Sequence, residues 1–185
     1  DIVNSGVISI EGNQSYGIRV DSLLDDGGTL TGSLTQSGSV TMVGDDSVGV
    51  AITDTGAVAG DVIVRGVVSV RGENSVGLLV DGQVDGEVRV NGTWVVTGFR
   101  STSRPADVSD LDPDDLESGG AAIHIRDNVL GGVTVEGIGI ENDEDDDGDG
   151  VDESDTGGDA DDNVTANIAL FGDAPAIFVE ADAAS

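Results

Sequence analysis

The chain has 185 residues, of which 37 are Asp or Glu against 7 Lys plus Arg, for a formal net charge of −30; aromatic residues make up 3%, cysteine is absent and glycine occurs 29 times. This balance excludes a phosphate-reading basic surface, and with it a nucleic-acid partner, as well as a disulfide frame, a thiol nucleophile and a cysteine-bound zinc. No apolar run reaches the length of a membrane helix and the aromatic girdles of a membrane barrel are missing, so no membrane insertion of this segment is expected.

Along the chain, short stretches of alternating Val, Ile and polar residues are punctuated by glycine. Gly6 and Gly12 frame the first, and Ser15-Tyr-Gly17-Ile-Arg-Val20 follows it. Gly32, Gly38 and Gly44 then frame two consecutive stretches, and Ser47-Val-Gly49-Val-Ala-Ile52 follows. The same order returns with Gly60, Gly66 and Gly72 before Ser75-Val-Gly77-Leu-Leu-Val80, and with Gly86, Gly92 and Gly98 after it. An insertion over 98–119 precedes Gly120-Ala-Ala122-Ile-His-Ile125 and the frame from Gly131 to Gly137. A second insertion, 141–162, precedes Ala174-Pro-Ala176-Ile-Phe-Val179. The Ser-x-Gly motif recurs at spacings of 32, 28, 45 and 54 residues, so a unit of about 28–32 residues is lengthened twice by insertions. Each unit holds three strand-like stretches, and no helical stripe or capping box interrupts them.

The alternation assigns inward columns. Ile18, Val50, Leu78, Ile123 and Ile177 form one; Val20, Ile52, Val80, Ile125 and Val179 form the next. Leu34, Val62, Val88 and Val133, then Gln36, Val64, Val90 and Val135, come from the second stretch. Equivalent side chains stack in this way when each unit is one coil and successive coils pair in parallel register. The expected fold class is therefore all-β: a right-handed parallel β-helix (solenoid) of about 28–32 residues per coil, a single domain over 1–185 with two acidic loop insertions. Five partial coils at about 4.8 Å each would build a rod of roughly 24 Å. An antiparallel sandwich is the structural competitor, but it does not require the same seven-residue frame in every unit. The chain opens in a stretch of the third kind, closes after one of the first and carries no signal peptide at Asp1, so it reads as a processed excerpt of a longer solenoid.

The charge is unevenly spread. All seven basic residues are Arg; 13 of the acidic residues fall in 141–162 and six in 98–119. Concentrated acid points to cation binding or a solvated loop more than to salt adaptation of the whole surface.

The Ser-x-Gly units with their glycine-framed Val-x-Val stretches resemble the passenger regions of bacterial autotransporters, in particular the acidic, glycine-rich passengers of α-proteobacteria such as sphingomonads. The likeness covers nearly the whole chain outside the two insertions. It implies secretion through an outer-membrane barrel and an extracellular rod at the bacterial cell surface, tethered to or released from the outer membrane. The chain ends at Ala183-Ala-Ser185 without the amphipathic barrel that such proteins carry.

The pointed chemical motif lies in the second insertion. Asp145, Asp147 and Asp149 sit at positions 1, 3 and 5 of a loop whose sixth residue is Gly150, which permits the sharp turn, and whose seventh, Val151, offers a backbone carbonyl. Calcium takes six to eight such oxygens. The string resembles thrombospondin type-3 calcium repeats through Asp145, Asp147, Asp149 and Gly150, with Glu153 in place of the usual Asp. Thr156 stands where a final acid is expected, and Asp155, one residue early, substitutes for it. Calcium is thus the expected cofactor, with Asp145, Asp147, Asp149, Val151, Glu153 and Asp155 as its ligands. A solvated acidic loop without a fixed ion is the alternative, because an Asp-rich stretch produces this spacing partly by composition. For the segment from Asp107 to Glu117, which lacks the glycine, a proline-containing surface loop is expected.

No catalytic constellation stands out. The predicted outward column of the first stretch is Arg19, Ala51, Leu79, His124 and Phe178, and His124 is the sole histidine, which excludes any site built on two. The expected function is that of a non-enzymatic cell-surface rod, a spacer and adhesion scaffold whose loops meet a surface ligand or glycan. Two other classes stay open. A polysaccharide-processing β-helix enzyme, lyase or hydrolase, is favoured if Arg126, His124 and acidic side chains converge on one groove. A structural surface-array or filament subunit is favoured by self-association through open coil ends.

Overall fold

Valine and isoleucine at alternate positions favour extended backbone, and the glycines between them turn it. In a computed structural model that describes residues 1–22, 27–99, 107–111, 113–135 and 166–180, the result is a set of short strands joined by tight corners. Numbered in chain order, the first sheet holds β1 (Ile2–Asn4), β5 (Leu34–Gln36), β9 (Val62–Val64), β12 (Val88–Val90) and β15 (Val133–Val135). The second holds β2 (Val7–Glu11), β6 (Ser39–Val43), β10 (Val67–Arg71), β13 (Thr93–Thr97) and β16 (Asn167–Phe171). The third holds β3 (Tyr16–Val20), β7 (Val48–Ile52), β11 (Val76–Val80), β14 (Ile123–Ile125) and β17 (Ile177–Val179). Every pairing between these strands is parallel, and the chain visits the three sheets in turn before starting the next layer.

The register is the one the repeats predict. Ile18 pairs with Val50, Val50 with Leu78, Leu78 with Ile123 and Ile123 with Ile177. Leu34, Val62, Val88 and Val133 align likewise in the first sheet. The inner members of these columns form one continuous apolar core with Val40, Met42, Val68, Val70, Trp94 and Val96 of the second sheet.

Three features differ from the sequence reading. The chain opens one strand earlier than expected, with β1 in the first sheet. The last layer has its own third-type strand, β16, framed by Ala166 and Gly172 where a pair of glycines was sought. Each unit also has a fourth side: β4 (Gly28–Leu30) pairs in parallel with β8 (Gly56–Val58), and bridges from Val58 to Val84 and from Val84 to Val129 continue the line. That ladder contributes a single inward side chain per layer, too little for any alternation to register. Gln36, the polar exception in its inward column, is fully buried as that column predicts, and its Oε1 accepts a hydrogen bond from Asn4 Nδ2 at 2.6 Å in the unforeseen β1.

The Ser-x-Gly motif has two separable physical reasons. A Cβ at Gly49 would lie 2.6 Å from the carbonyl oxygen of Gly77 and 3.2 Å from a Val68 methyl, and one at Gly77 would lie 3.1 Å from the Trp94 ring. Glycine there lets the second and third sheets close on each other. The serine works along the stack. Ser75 Oγ donates to Gly44 O at 2.7 Å and accepts from Ser47 N at 3.1 Å, and Ser47 Oγ in turn accepts from Ser15 N at 3.2 Å. Ser47 and Ser75 are fully buried, so these bonds satisfy corner groups that water does not reach.

The first insertion leaves and returns at one point. A Cβ at Gly98 would meet Glu117 O, and Ser118 O accepts from Asn74 N at 3.1 Å, the bond that Glu73 O makes to Asp46 N one layer earlier. Two 3-10 turns, Val108–Asp110 and Pro113–Leu116, lie within it, as a proline-containing loop requires. The second insertion, 141–162, lies outside the described residues.

Two substitutions test this account by urea unfolding. Gly49→Ala is expected to cost about 1–3 kcal/mol by overpacking against backbone that cannot retreat. Ser75→Ala is expected to cost about 1–3 kcal/mol, because it strips a buried carbonyl and a buried amide of one partner.

Candidate functional site

The candidate functional side chains lie along the third sheet. Strand alternation turns position 19 of the first layer outward, and parallel register stacks Arg19, Ala51, Leu79, His124 and Phe178 in one line, as the sequence predicts. Beside it runs a second line that the sequence reading passed over. Thr53 N donates to Val20 O, Asp81 N to Ile52 O, Arg126 N to Val80 O and Glu180 N to Ile125 O. Asp21, Thr53, Asp81, Arg126 and Glu180 therefore occupy equivalent corner positions. At about 4.8 Å per strand the double line is roughly 19 Å long.

Its two ends carry distinct networks. At the first, Asp21 Oδ1 accepts from Thr53 Oγ1 at 2.6 Å and Thr55 Oγ1 at 2.5 Å, and Oδ2 pairs with the Arg19 guanidinium at 2.5 Å. These hydroxyl donors, with the Ser22 amide and the Arg19 charge, hold the Asp21 carboxyl below its ordinary value. Arg19 also lies 4.7 Å from the centroid of the Tyr16 ring, a cation–π contact.

At the second, Arg126 bridges two carboxylates: Nη1 lies 3.1 Å from Asp81 Oδ2, and Nε lies 3.4 Å from Glu180 Oε2. His124 Nε2 is 2.9 Å from the other Glu180 oxygen, and its ring stacks on Phe178 with centroids 4.7 Å apart. The hydrogen bond from His124, followed by the bond and charge of Arg126, holds the Glu180 carboxyl below its ordinary 4.5. The residues of this network come from 45 to 56 positions apart in the chain. Chemically the arrangement supplies a carboxylate–imidazole contact through which a proton can pass, a guanidinium already shared between two acids, and an exposed aromatic face.

The sequence-predicted calcium ligands Asp145, Asp147, Asp149, Val151, Glu153 and Asp155 all lie outside the described residues. Among the described residues no group of three His, Asp or Glu side chains is placed to hold a metal ion. The residues the sequence reading missed were Asp21, Asp81 and Glu180. Carrying the aligned Ile-x-Val motif one residue further would have exposed their column. Compared with known protein families, curated proteins and solved structures, the chain matches none.

The lowered Glu180 carboxyl sets a pH dependence. Its contribution to stability is fully present above the ordinary value of 4.5 and is lost as the pH falls through the lower folded value. A carboxyl NMR titration is expected to place the Glu180 midpoint below 4.5, and His124→Ala to move it upward. An unmoved midpoint would mean that the imidazole contact does not hold in solution.

Proposed function

We propose that the stacked parallel sheets are coils of one continuous right-handed parallel β-helix, and that the protein is a non-enzymatic rod at the bacterial cell surface, of the autotransporter-passenger type. The observation that carries this reading is the unbroken register of three ladders through every layer while long insertions are taken up between strands. The insertion at Gly98 leaves and rejoins the stack beside Glu117 without displacing the neighbouring ladder. A scaffold of this kind can lengthen its loops freely, because the coils beneath carry the stability. The rod acts as a stiff spacer and adhesion scaffold, and its loops present the surface that a ligand or glycan meets.

Calcium orders the second insertion in this reading, with Asp145, Asp147, Asp149, the Val151 carbonyl, Glu153 and Asp155 as ligands. The support is the spacing of the acids and the glycine after them. Outside the cell, millimolar calcium saturates a weak module of this type. Calorimetric titration is expected to give saturable binding. With calcium at about ten times its dissociation constant the melting temperature should rise by about 3–6 °C. Asp147→Ala should remove both effects; heat without saturation would reduce the stretch to a solvated loop.

A polysaccharide-processing activity is a second reading, favoured by one observation. His124, Arg126, Asp81 and Glu180 converge on one outer face beside the exposed Phe178 ring. Against it, Arg126 is engaged on both sides by carboxylates, which leaves no free cation there to meet a polyuronate. Product formation from neutral and acidic polysaccharides, abolished by His124→Ala, would establish this reading; no release of new sugar ends would dismiss it.

A further inference from the structure

The outer face of the second sheet takes no part in the ion-pair networks of the third. In all five of its strands the even-numbered residues, from Ile8 and Ile10 to Ile168 and Leu170, pack inward, and the odd-numbered ones point out. Parallel register stacks the outward residues in columns. Ser9, Thr41, Ser69, Val95 and Ala169 run along the middle, and Val7, Ser39, Val67, Thr93 and Asn167 run beside them. None of these ten residues is charged, in a chain of net charge −30. The two charges on the face, Glu11 and Arg71, stand in its third column, where Thr97 is 3% exposed and the Phe171 ring packs on Phe99 at 5.7 Å.

The uncharged part of the face is open in the middle of the stack. β6, β10 and β13 each have a paired strand on both sides, yet Val67 of β10 is 43% exposed and Thr93 of β13 is exposed as well. The face therefore keeps its character whatever precedes β2 or follows β16. Its hydroxyls are also unused by the fold. Corner serines are tied down: Ser33 Oγ accepts from Asp61 N, Ser47 Oγ donates to Gly12 O and Ser75 Oγ to Gly44 O. Among the described residues, the side chains of Ser9, Ser39, Thr41, Ser69 and Thr93 make no hydrogen bond. Val and Thr suit extended backbone better than Ser, so strand propensity does not explain Ser9, Ser39 and Ser69.

The face is a grid, with groups repeating at about 4.8 Å across the strands and about 6.6 Å along them. Each hydroxyl on it offers one donor and two acceptor lone pairs, and the methyl groups of Val7, Val67 and Val95 fill the space between. Water on an uncharged grid of this kind keeps the tetrahedral bonding of a solid, whereas a charged side chain turns its hydration shell toward itself. We propose that this face binds ice. The grid lies close to the oxygen repeats of a prism face of ice, and each layer extends the match by the same step. The acidic corners and insertions carry the charge on the other sides, where they stay hydrated by liquid water. A sugar lattice fits less well, because the ten uncharged positions hold no aromatic ring on which a sugar could stack. The inference goes beyond the spacer function and needs only the register of the second sheet.

Partition into a slowly grown ice shell tests this, read against a non-binding control protein, with thermal hysteresis measured on the same samples. The wild-type chain is expected to concentrate in the ice and to shape growing crystals into facets. Thr41→Lys sets a charge in the middle column and should lower partition to the level of the control. Val67→Asp, at a more exposed position, should show the same loss where Thr41→Lys proves unstable. Thr35→Lys, on the outer face of the first sheet, should leave partition unchanged. Ser69→Thr should strengthen binding, because a β-branched side chain holds its hydroxyl in fewer rotamers. Thermal melting of each variant separates a lost face from a lost fold. Exclusion of the wild-type chain from ice would overturn the proposal, and so would a folded Thr41→Lys or Val67→Asp protein that partitions unchanged. Retention on crystalline cellulose or chitin together with exclusion from ice would overturn it in favour of a glycan surface. None of these outcomes bears on the continuous coil, which stands or falls separately.

Discussion

The interior of this protein is as wide as the gap between a glycine in the third sheet and a valine in the second. At Gly17 an added Cβ would come within 2.7 Å of a Val40 methyl, and at Gly49 within 3.3 Å of both Val68 and Val70. Close packing leaves no slack for larger groups in such a space. That single constraint accounts for much of the composition. Val, Ile and Leu fill the columns, and aromatic rings are nearly absent from the core. Trp94 is the exception and shows the rule at work: its ring occupies the space that Gly77 leaves empty, and its Nε1 donates to Asn91 O at 2.9 Å.

The acidic character outside the insertions has a structural share. Neighbouring layers are one strand spacing apart, and a short polar side chain at a corner just reaches the next backbone amide. Asp1 Oδ1 accepts from Ser33 N, Ser33 Oγ from Asp61 N, and Asp61 Oδ1 from Glu87 N, at 2.8 to 3.0 Å. Asn13 Oδ1 and Asp45 Oδ1 do the same for Asp45 N and Glu73 N at the next corner. These carboxylates and hydroxyls satisfy amides at bends where the sheet ladders are interrupted. Lys and Arg, which only donate, cannot take this place. Part of the charge therefore follows from building corners out of acceptors, and not from any partner.

The networks on the third sheet join neighbouring layers of the stack. The Asp81–Arg126–Glu180–His124 group ties three successive strands, β11, β14 and the end of β17, across the outer surface. Exposed ion pairs contribute little singly, but here one guanidinium and one imidazole converge on a shared carboxylate, which orients all of them. The same line of positions that would present a binding face also fastens the layer that lies at the edge of the stack.

The amino-acid sequence by itself determined the strands, their register and their inward columns. Each layer repeats the last, so Val50 over Ile18 and Leu78 over Val50 follow from aligning the Ser-x-Gly motif alone. A stacked repeat converts sequence equivalence directly into spatial contact, which is why these elements were legible. β1, the β4–β8 ladder and β16 were not, because three residues, one inward side chain or a missing leading glycine leave no period to detect. The candidate site was half legible: Arg19, His124 and Phe178 were placed on one outward line, yet Asp21, Asp81 and Glu180 were not. Only the tertiary structure decided which of 37 acidic residues meets Arg126, since partners 45 and 54 positions away become neighbours only once their strands pair in parallel register.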